Sequence, residues 1–193
     1  MLNQIEKIVL SSFKKKETIS GSALSKRLFN KKRSAKMRAL SVLEKWQRAF
    51  VIERIVGEEA RKAGNEVVHY GGSSAFDILI NGKRVEVKSA LCRGKNKNFS
   101  DPKNSKHQQY TWSGIKPNNF DYLVMVAVTP NGLRYDLVPS DQVWNLSQFD
   151  IKYGTNGYNW YENGKYVRYF MKPISKLGAE ITELVGLQQY CGV

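Results

Sequence analysis

The sequence has little of what disulfide, zinc or histidine chemistry needs: two cysteines and two histidines in 193 residues. Cys92 and Cys191 lie far apart with no framework around them, and neither has His or Cys neighbours at zinc spacing. That excludes a disulfide scaffold and points to reduced, intracellular thiols. His69 and His107 have no partner at nucleophile or metal spacing, so a surface or loop role is expected of each rather than general-base work. The N-terminus lacks a long apolar run, so the expectation is a soluble cytoplasmic protein with no signal peptide and no membrane partner. No internal repeat is present. Acids are also scarce, at 17 against 31 Lys and Arg. The resulting net charge of +14 asks for a polyanionic partner.

That charge is unevenly placed. Residues 1–48 hold thirteen basic and three acidic residues, a net of +10, whereas residues 49–193 carry only +4. Helical spacing of Leu2, Ile5, Ile8, Val9 and Phe13 predicts a short amphipathic helix, and Ser20-Gly21-Ser22 starts a second. The basic run Lys31, Lys32 and Arg33 follows. These helices read either as a helix-turn-helix meeting phosphates or as a basic helical hairpin packed on the main domain. Ser34 can cap a longer helix to about Ala63, ended by Gly64, with Met37, Leu40, Leu43, Trp46, Phe50 and Ile55 on its apolar face.

The informative stretch runs from Ser74 to Lys88. Asn81-Gly82 between two apolar runs is a strong signal for a two-residue hairpin turn. With that turn Ile80 pairs with Lys83, and the register sets Asp77 opposite Glu86. Side chains alternate across a strand. Phe76, Ile78, Ile80, Val85 and Val87 then share one face, and Asp77, Glu86 and Lys88 share the other. Carboxylates facing each other across a ladder repel by up to ~1 kcal/mol. A hard divalent cation reverses that sign. Two acids and a lysine at one spot suit metal-assisted hydrolysis; the plain alternative is a surface hairpin in which Lys88 neutralises Glu86.

Glu66 to Tyr70 reads as a strand before the hairpin, turned by Gly71-Gly72-Ser73. The polar segment from Arg93 to Lys106 reads as a loop, idle or tracking a phosphate backbone through Arg93, Lys95 and Lys97. Lys106 to Ile115 is expected to be helical. Phe120 to Thr129 is a near-continuous apolar run, as in a strand buried on both faces. Asn131-Gly132 turns it into Leu133–Val138, and a short helix with Val143, Trp144 and Leu146 follows Pro139. The aromatics from Tyr153 to Phe170 suit a hairpin turning at Asn163-Gly164, as packing pairs or as a stacking surface for bases. A last helix spans about Ser175 to Gln189.

Asp77 followed by Glu86-Val87-Lys88 at the end of a hairpin resembles the PD-(D/E)XK nuclease superfamily. The family's core order of helix, three strands, helix and strand is matched by residues 35–129, about half of the chain. The proline that names the family is absent, since Phe76 precedes Asp77. The resemblance implies an α/β fold with a restriction-endonuclease-like core, a central mixed β-sheet flanked by helices. It divides the chain into a basic helical N-terminal extension (1–34), the nuclease core (35–150) and a hairpin-and-helix C-terminal extension (151–193).

It further implies a Mg²⁺-dependent endonuclease on double-stranded DNA, with Mn²⁺ able to substitute, acting as a homodimer. Asp77 and Glu86 would hold the metal with the Val87 carbonyl, and Lys88 would position the water. A helix glutamate would support a ligand water or a second metal; Glu53 fits best, with Glu58 and Glu59 close rivals. Gln108 or Gln109, on the helix after the lysine, would touch the site. The residues outside the core favour sequence-specific, restriction-type cleavage over a junction resolvase. A non-catalytic DNA-binding protein of the same fold and a nuclease acting on RNA are the readings from other classes.

Overall fold

The computed structural model describes residues 40, 43–70, 74–91, 93–94, 108–129, 132–145, 150–162 and 165–190. The two N-terminal helices expected from sequence, Lys31, Lys32, Arg33, Lys95, Lys97, His107 and both cysteines lie outside them.

Among the described residues, ten strands form two sheets and three α-helices accompany them. The larger sheet has six strands. Its members are β1 (Val67–His69), β2 (Ile78–Ile80), β3 (Lys83–Leu91), β6 (Tyr122–Thr129), β7 (Gly132–Pro139) and β10 (Lys172–Pro173), side by side in that order. Only β3 and β6 run parallel, so the sheet is mixed. The smaller sheet is antiparallel, in the order β4 (Arg93–Gly94), β5 (Gln108–Ile115), β9 (Gly157–Glu162), β8 (Asp150–Gly154). The helices are α1 (Lys45–Lys62), α2 (Lys165–Tyr169) and α3 (Leu177–Tyr190). This is a mixed α/β architecture. No helix among the described residues is long and apolar enough to cross a membrane.

Two cores lie on the two faces of the larger sheet. On one, Val51, Ile52, Ile55, Val56 and Ala60 of α1 pack with Leu177 and Ile181 of α3 against Ile78, Ile80, Val85, Val87, Val124 and Val126. On the other, Tyr110, Trp112 and Trp160 of the smaller sheet cover Ala90, Leu123, Met125, Ala127 and Val138. All eight residues of β6 are buried, as its unbroken apolar run requires of a strand covered on both sides.

The Asn81-Gly82 turn forms as expected. Both residues have positive φ, 48° and 78°, and Ile80 pairs with Lys83. The Asn81 side chain ties the turn down: its carboxamide oxygen accepts from Glu66 N–H at 2.7 Å and its Nδ2 donates to Asn65 Oδ1 at 2.7 Å. Asn65 in turn donates to Thr182 Oγ1 of α3 at 2.9 Å.

Several expectations are corrected. The long helix begins at Lys45 rather than Ser34, because the Gln47 side chain accepts the Glu44 N–H at 3.1 Å and ends the helix there. Its buried face is set by Val51, Ile52, Ile55 and Val56, while Trp46 and Phe50 are exposed. Phe76 leaves the apolar face assigned to it and packs on Tyr70, ring centroids 4.9 Å apart. Residues 108–115 form strand β5, not a helix: Tyr110 and Trp112 alternate inward with Thr111 and Ser113 outward, a period of two. Arg93 and Gly94 form a strand rather than the start of a loop. The aromatic hairpin turns at Thr155-Asn156, between Gly154 and Gly157, while Asn163-Gly164 lies outside the described residues. Of the short helix after Pro139, the described residues show a 3₁₀ turn over Val143–Asn145. The C-terminal helix and the strands at 67–69 and 132–139 stand close to where the sequence puts them.

The α1–α3 contact gives a direct test of packing. A Cβ on Gly178 would stand 2.2 Å from the Glu59 carbonyl oxygen and 2.8 Å from Ala63 Cβ. Backbone cannot yield as a flexible side chain can, so Gly178→Ala must push the helices apart. Overpacking of this kind costs roughly 1–3 kcal/mol, against which alanine returns up to ~1 kcal/mol of helix propensity. The melting temperature is expected to fall by several degrees, about 2–4 °C for each net kcal/mol lost, as read by calorimetry.

Candidate active site

The site forms where β2 stops and β3 continues. Beyond the Ile78–Val85 pair the regular ladder ends at Asp77, whose backbone N–H still donates to the Val85 carbonyl at 3.2 Å. The freed backbone turns the Asp77 carboxylate back onto β3, where Oδ2 accepts the Val87 N–H at 2.8 Å. In an extended strand the N–H and C=O of one residue point to the same edge. The Val87 carbonyl therefore faces the same gap as the Asp77 carboxylate.

Val85 and Val87 point into the α1 core, so Glu86 and Lys88 point to the opposite face. Asp77 and Glu86 come within hydrogen-bonding reach of each other, and Lys88 forms an ion pair with Glu86. Glu86 is only 9% exposed, and burial pushes its carboxyl up to about 7; Lys88 pulls it down and the Asp77 charge raises it further. Two acids thus share a half-dry site with one cation, one negative charge in excess of what it comfortably holds.

Glu53, half-buried on α1, belongs to the same electrostatic group. Burial first, then the charges of Asp77 and Glu86, raise its carboxyl to about 7, with Lys88 acting in the opposite sense. Its rivals are engaged elsewhere: Glu58 pairs with Arg61 at 2.7 Å and Glu59 with Lys62 at 2.5 Å. Of the three glutamates, Glu53 is the one brought to the Asp77–Glu86 pair. Among the described residues no three Asp, Glu, His or Cys side chains converge into a ready-made metal cage. Glu53 therefore does not close a three-carboxylate cage with Asp77 and Glu86.

His69 lies on β1 with its ring against Gly57 of α1, and burial lowers it to about 4. It is a packing residue rather than a loop one, and it faces away from the site. Arg93 and Gln108 fall on adjoining strands β4 and β5, so Gln108 sits on a strand rather than on the expected helix. Tyr70, without a functional signature in the sequence, also borders the site. Its N–H donates to the Asp77 carbonyl at 2.9 Å, so it extends β1 beside the first acid. The alternation Val67, His69 against Val68, Tyr70 was the available signal.

No protein-family model and no curated protein matches this sequence. Among solved structures the chain is similar to a bacterial homing endonuclease, I-Ssp6803I, with a TM-score of 0.43 and 16% identity, covering 75% of this chain and 94% of that one.

Proposed function

We propose that this protein is a divalent-metal-dependent phosphodiesterase that cuts double-stranded DNA. The observation that carries the reading is the pairing of the Asp77 and Glu86 carboxylates at the open end of β2, with the Lys88 ammonium on the same face. A pair of hard oxygen donors that repel each other and hold Glu86 near neutrality suits Mg²⁺ or Mn²⁺. Asp77, Glu86 and the Val87 carbonyl would hold the cation. Bound there, it would supply Lewis-acid polarisation of the phosphate and a more acidic water.

The chain's own groups do the rest. Lys88 neutralises one carboxylate and presents N–H donors to a phosphate oxygen or to the attacking water, which stabilises charge as it develops. Glu53, titrating near neutral pH, can accept a proton from that water at its carboxylate or orient a water beside the metal. The net charge of +14 favours a polyanion as substrate. Restriction-type, sequence-specific cutting by a homodimer is the form proposed, because two strands need two sites.

The test is plasmid and linear DNA incubated with Mg²⁺, with Mn²⁺, or with EDTA, followed by end mapping. Cleavage is expected with either metal and absent with EDTA, with discrete bands from linear DNA. Equal cleavage in EDTA, or none in any metal, overturns the proposal. Preference for a four-way junction, or for RNA over DNA, would reassign the substrate.

A further inference from the structure

We infer that Tyr70 is a substrate-contacting residue, a platform on which an unstacked nucleobase next to the scissile phosphate rests. The inference rests on the nuclease reading of the site and names a feature of its substrate.

The geometry comes from strand registers. Val67 and His69 face α1, since a Cβ on Gly57 would meet both side chains. Val68 and Tyr70 therefore face the other side of the sheet, the side that Glu86 and Lys88 occupy. β1 pairs with β2 as Val67↔Ile80 to His69↔Ile78, and the next step along sets Tyr70 beside Asp77. Continuing through Glu86↔Leu123 and Leu123↔Val138, one row crosses the sheet: Tyr70, Asp77, Glu86, Leu123, Val138. The smaller sheet covers the Leu123 and Val138 end of this row and leaves the Tyr70 end open.

That open end is aromatic and apolar. Tyr70 and Val68 are each 43% exposed, and the Tyr70 ring leans on Phe76 at an interplanar angle of 58°. Phe76 braces the ring while leaving it accessible. Neighbouring strands lie about 4.8 Å apart, so the ring starts one strand spacing from Asp77, a distance matching that from a phosphate to its own nucleoside. The floor beside a phosphate site thus offers a π face where a purely electrostatic grip on the backbone would use lysines. A base inside an intact duplex has both faces covered by its neighbours. Only an unpaired, terminal or extruded base can stack on a side chain. The substrate class is therefore DNA with an unstacked nucleotide at the cut, whether already present or opened by binding.

The experiment uses the full chain and duplexes carrying 2-aminopurine beside the mapped cut, with Ca²⁺ in place of Mg²⁺ for binding. Single strands carrying the same probe serve as an unpaired control. The parent and Tyr70→Phe should quench the probe. Tyr70→Ala and Tyr70→Leu should not, and in Mg²⁺ should cut about 10-fold or more slowly, as expected for loss of one stacked base. On a duplex with an abasic site at that position, parent and Tyr70→Ala should cut alike. If the parent cuts DNA but Tyr70→Ala quenches and cuts as the parent does, the inference fails while the nuclease reading stands. An equal rate loss for Tyr70→Ala on the abasic duplex, or a changed sedimentation state, also overturns it, the latter assigning the patch to self-association. If the parent cuts nothing, the nuclease reading fails, and absence of quenching on the single strand then overturns this inference separately.

Discussion

Asp77→Asn and Lys88→Ala are each expected to lower metal-dependent DNA cleavage by at least ~10²–10³-fold, the range seen when one charge-stabilising group is removed from a reacting centre. Asp77→Asn is the cleaner change. An amide oxygen can still accept the Val87 N–H that Asp77 Oδ2 accepts at 2.8 Å, so the local backbone keeps its partner. What disappears is one negative charge. The loss should therefore appear as weaker metal dependence and slower cutting, with no loss of thermal stability. Asp77→Ala adds a second effect, because it strands the Val87 N–H at a cost of about 1–3 kcal/mol. Lys88→Ala removes the cation paired with Glu86, which favours the protonated acid and weakens any hold on a metal. Measured by single-turnover cleavage of labelled duplex beside circular dichroism melts, a folded Asp77→Asn or Lys88→Ala that cuts at the parental rate would remove these residues from the site.

The parts of the site legible in sequence are those carried on one hairpin. A two-residue Asn-Gly turn leaves a single register, and Asp77, Glu86 and Lys88 follow from it without tertiary information. Even there, sequence could not show that the ladder ends at Asp77, since that depends on a hydrogen bond between a carboxylate and the Val87 N–H. Glu53 was harder. Three glutamates sit within two turns of α1, and only packing against the sheet decides which one senses Asp77 and Glu86. Tyr70 needed the β1–β2 register, and Gly71-Gly72-Ser73 conceals the loop length that sets it.

The fold shows the same division. β6 was legible because eight consecutive buried residues leave no polar face. β5 was not, although Tyr110-Thr111-Trp112-Ser113 alternates as a strand should. Its pairing partner β9 lies far along the chain, and the resemblance that fitted the hairpin called for a helix at that point. The start of α1 was misplaced because Ser34 looks like a good cap, while the contact that ends the helix is local to Glu44 and Gln47. In the aromatic region two Asn-Gly pairs compete, and local chemistry does not rank Asn156-Gly157 against Asn163-Gly164.

The largest expected effect on stability comes from Glu86→Gln. The Glu86 carboxyl titrates at about 7 in the folded chain against an ordinary 4.5. Between those values the folded protein holds a proton that the unfolded chain has released, so stability falls as pH rises through that window. Lys88 already pulls against the rise, so the net shift includes its help. At 1.36 kcal/mol per unit, the ionised carboxylate costs the metal-free protein about 3 kcal/mol by pH 8. Glutamine carries no such charge. At pH 8 in EDTA, Glu86→Gln should melt about 5–10 °C above the parent, at a few degrees per kcal/mol. At pH 5, where Glu86 is protonated in the fold, the gap should close. Glu53 is raised to about 7 in part by the Glu86 charge, so the variant also relieves Glu53 and the pH 8 gap widens in the same direction. Millimolar Mg²⁺ should narrow the pH 8 gap by binding the folded parent, and cleavage by Glu86→Gln should be lost. A variant no more stable than the parent at pH 8 would mean that Lys88 and its surroundings fully compensate the buried Glu86 charge. A variant that is more stable and inactive would show that the fold tolerates a repulsive carboxylate pair whose strain a bound cation relieves.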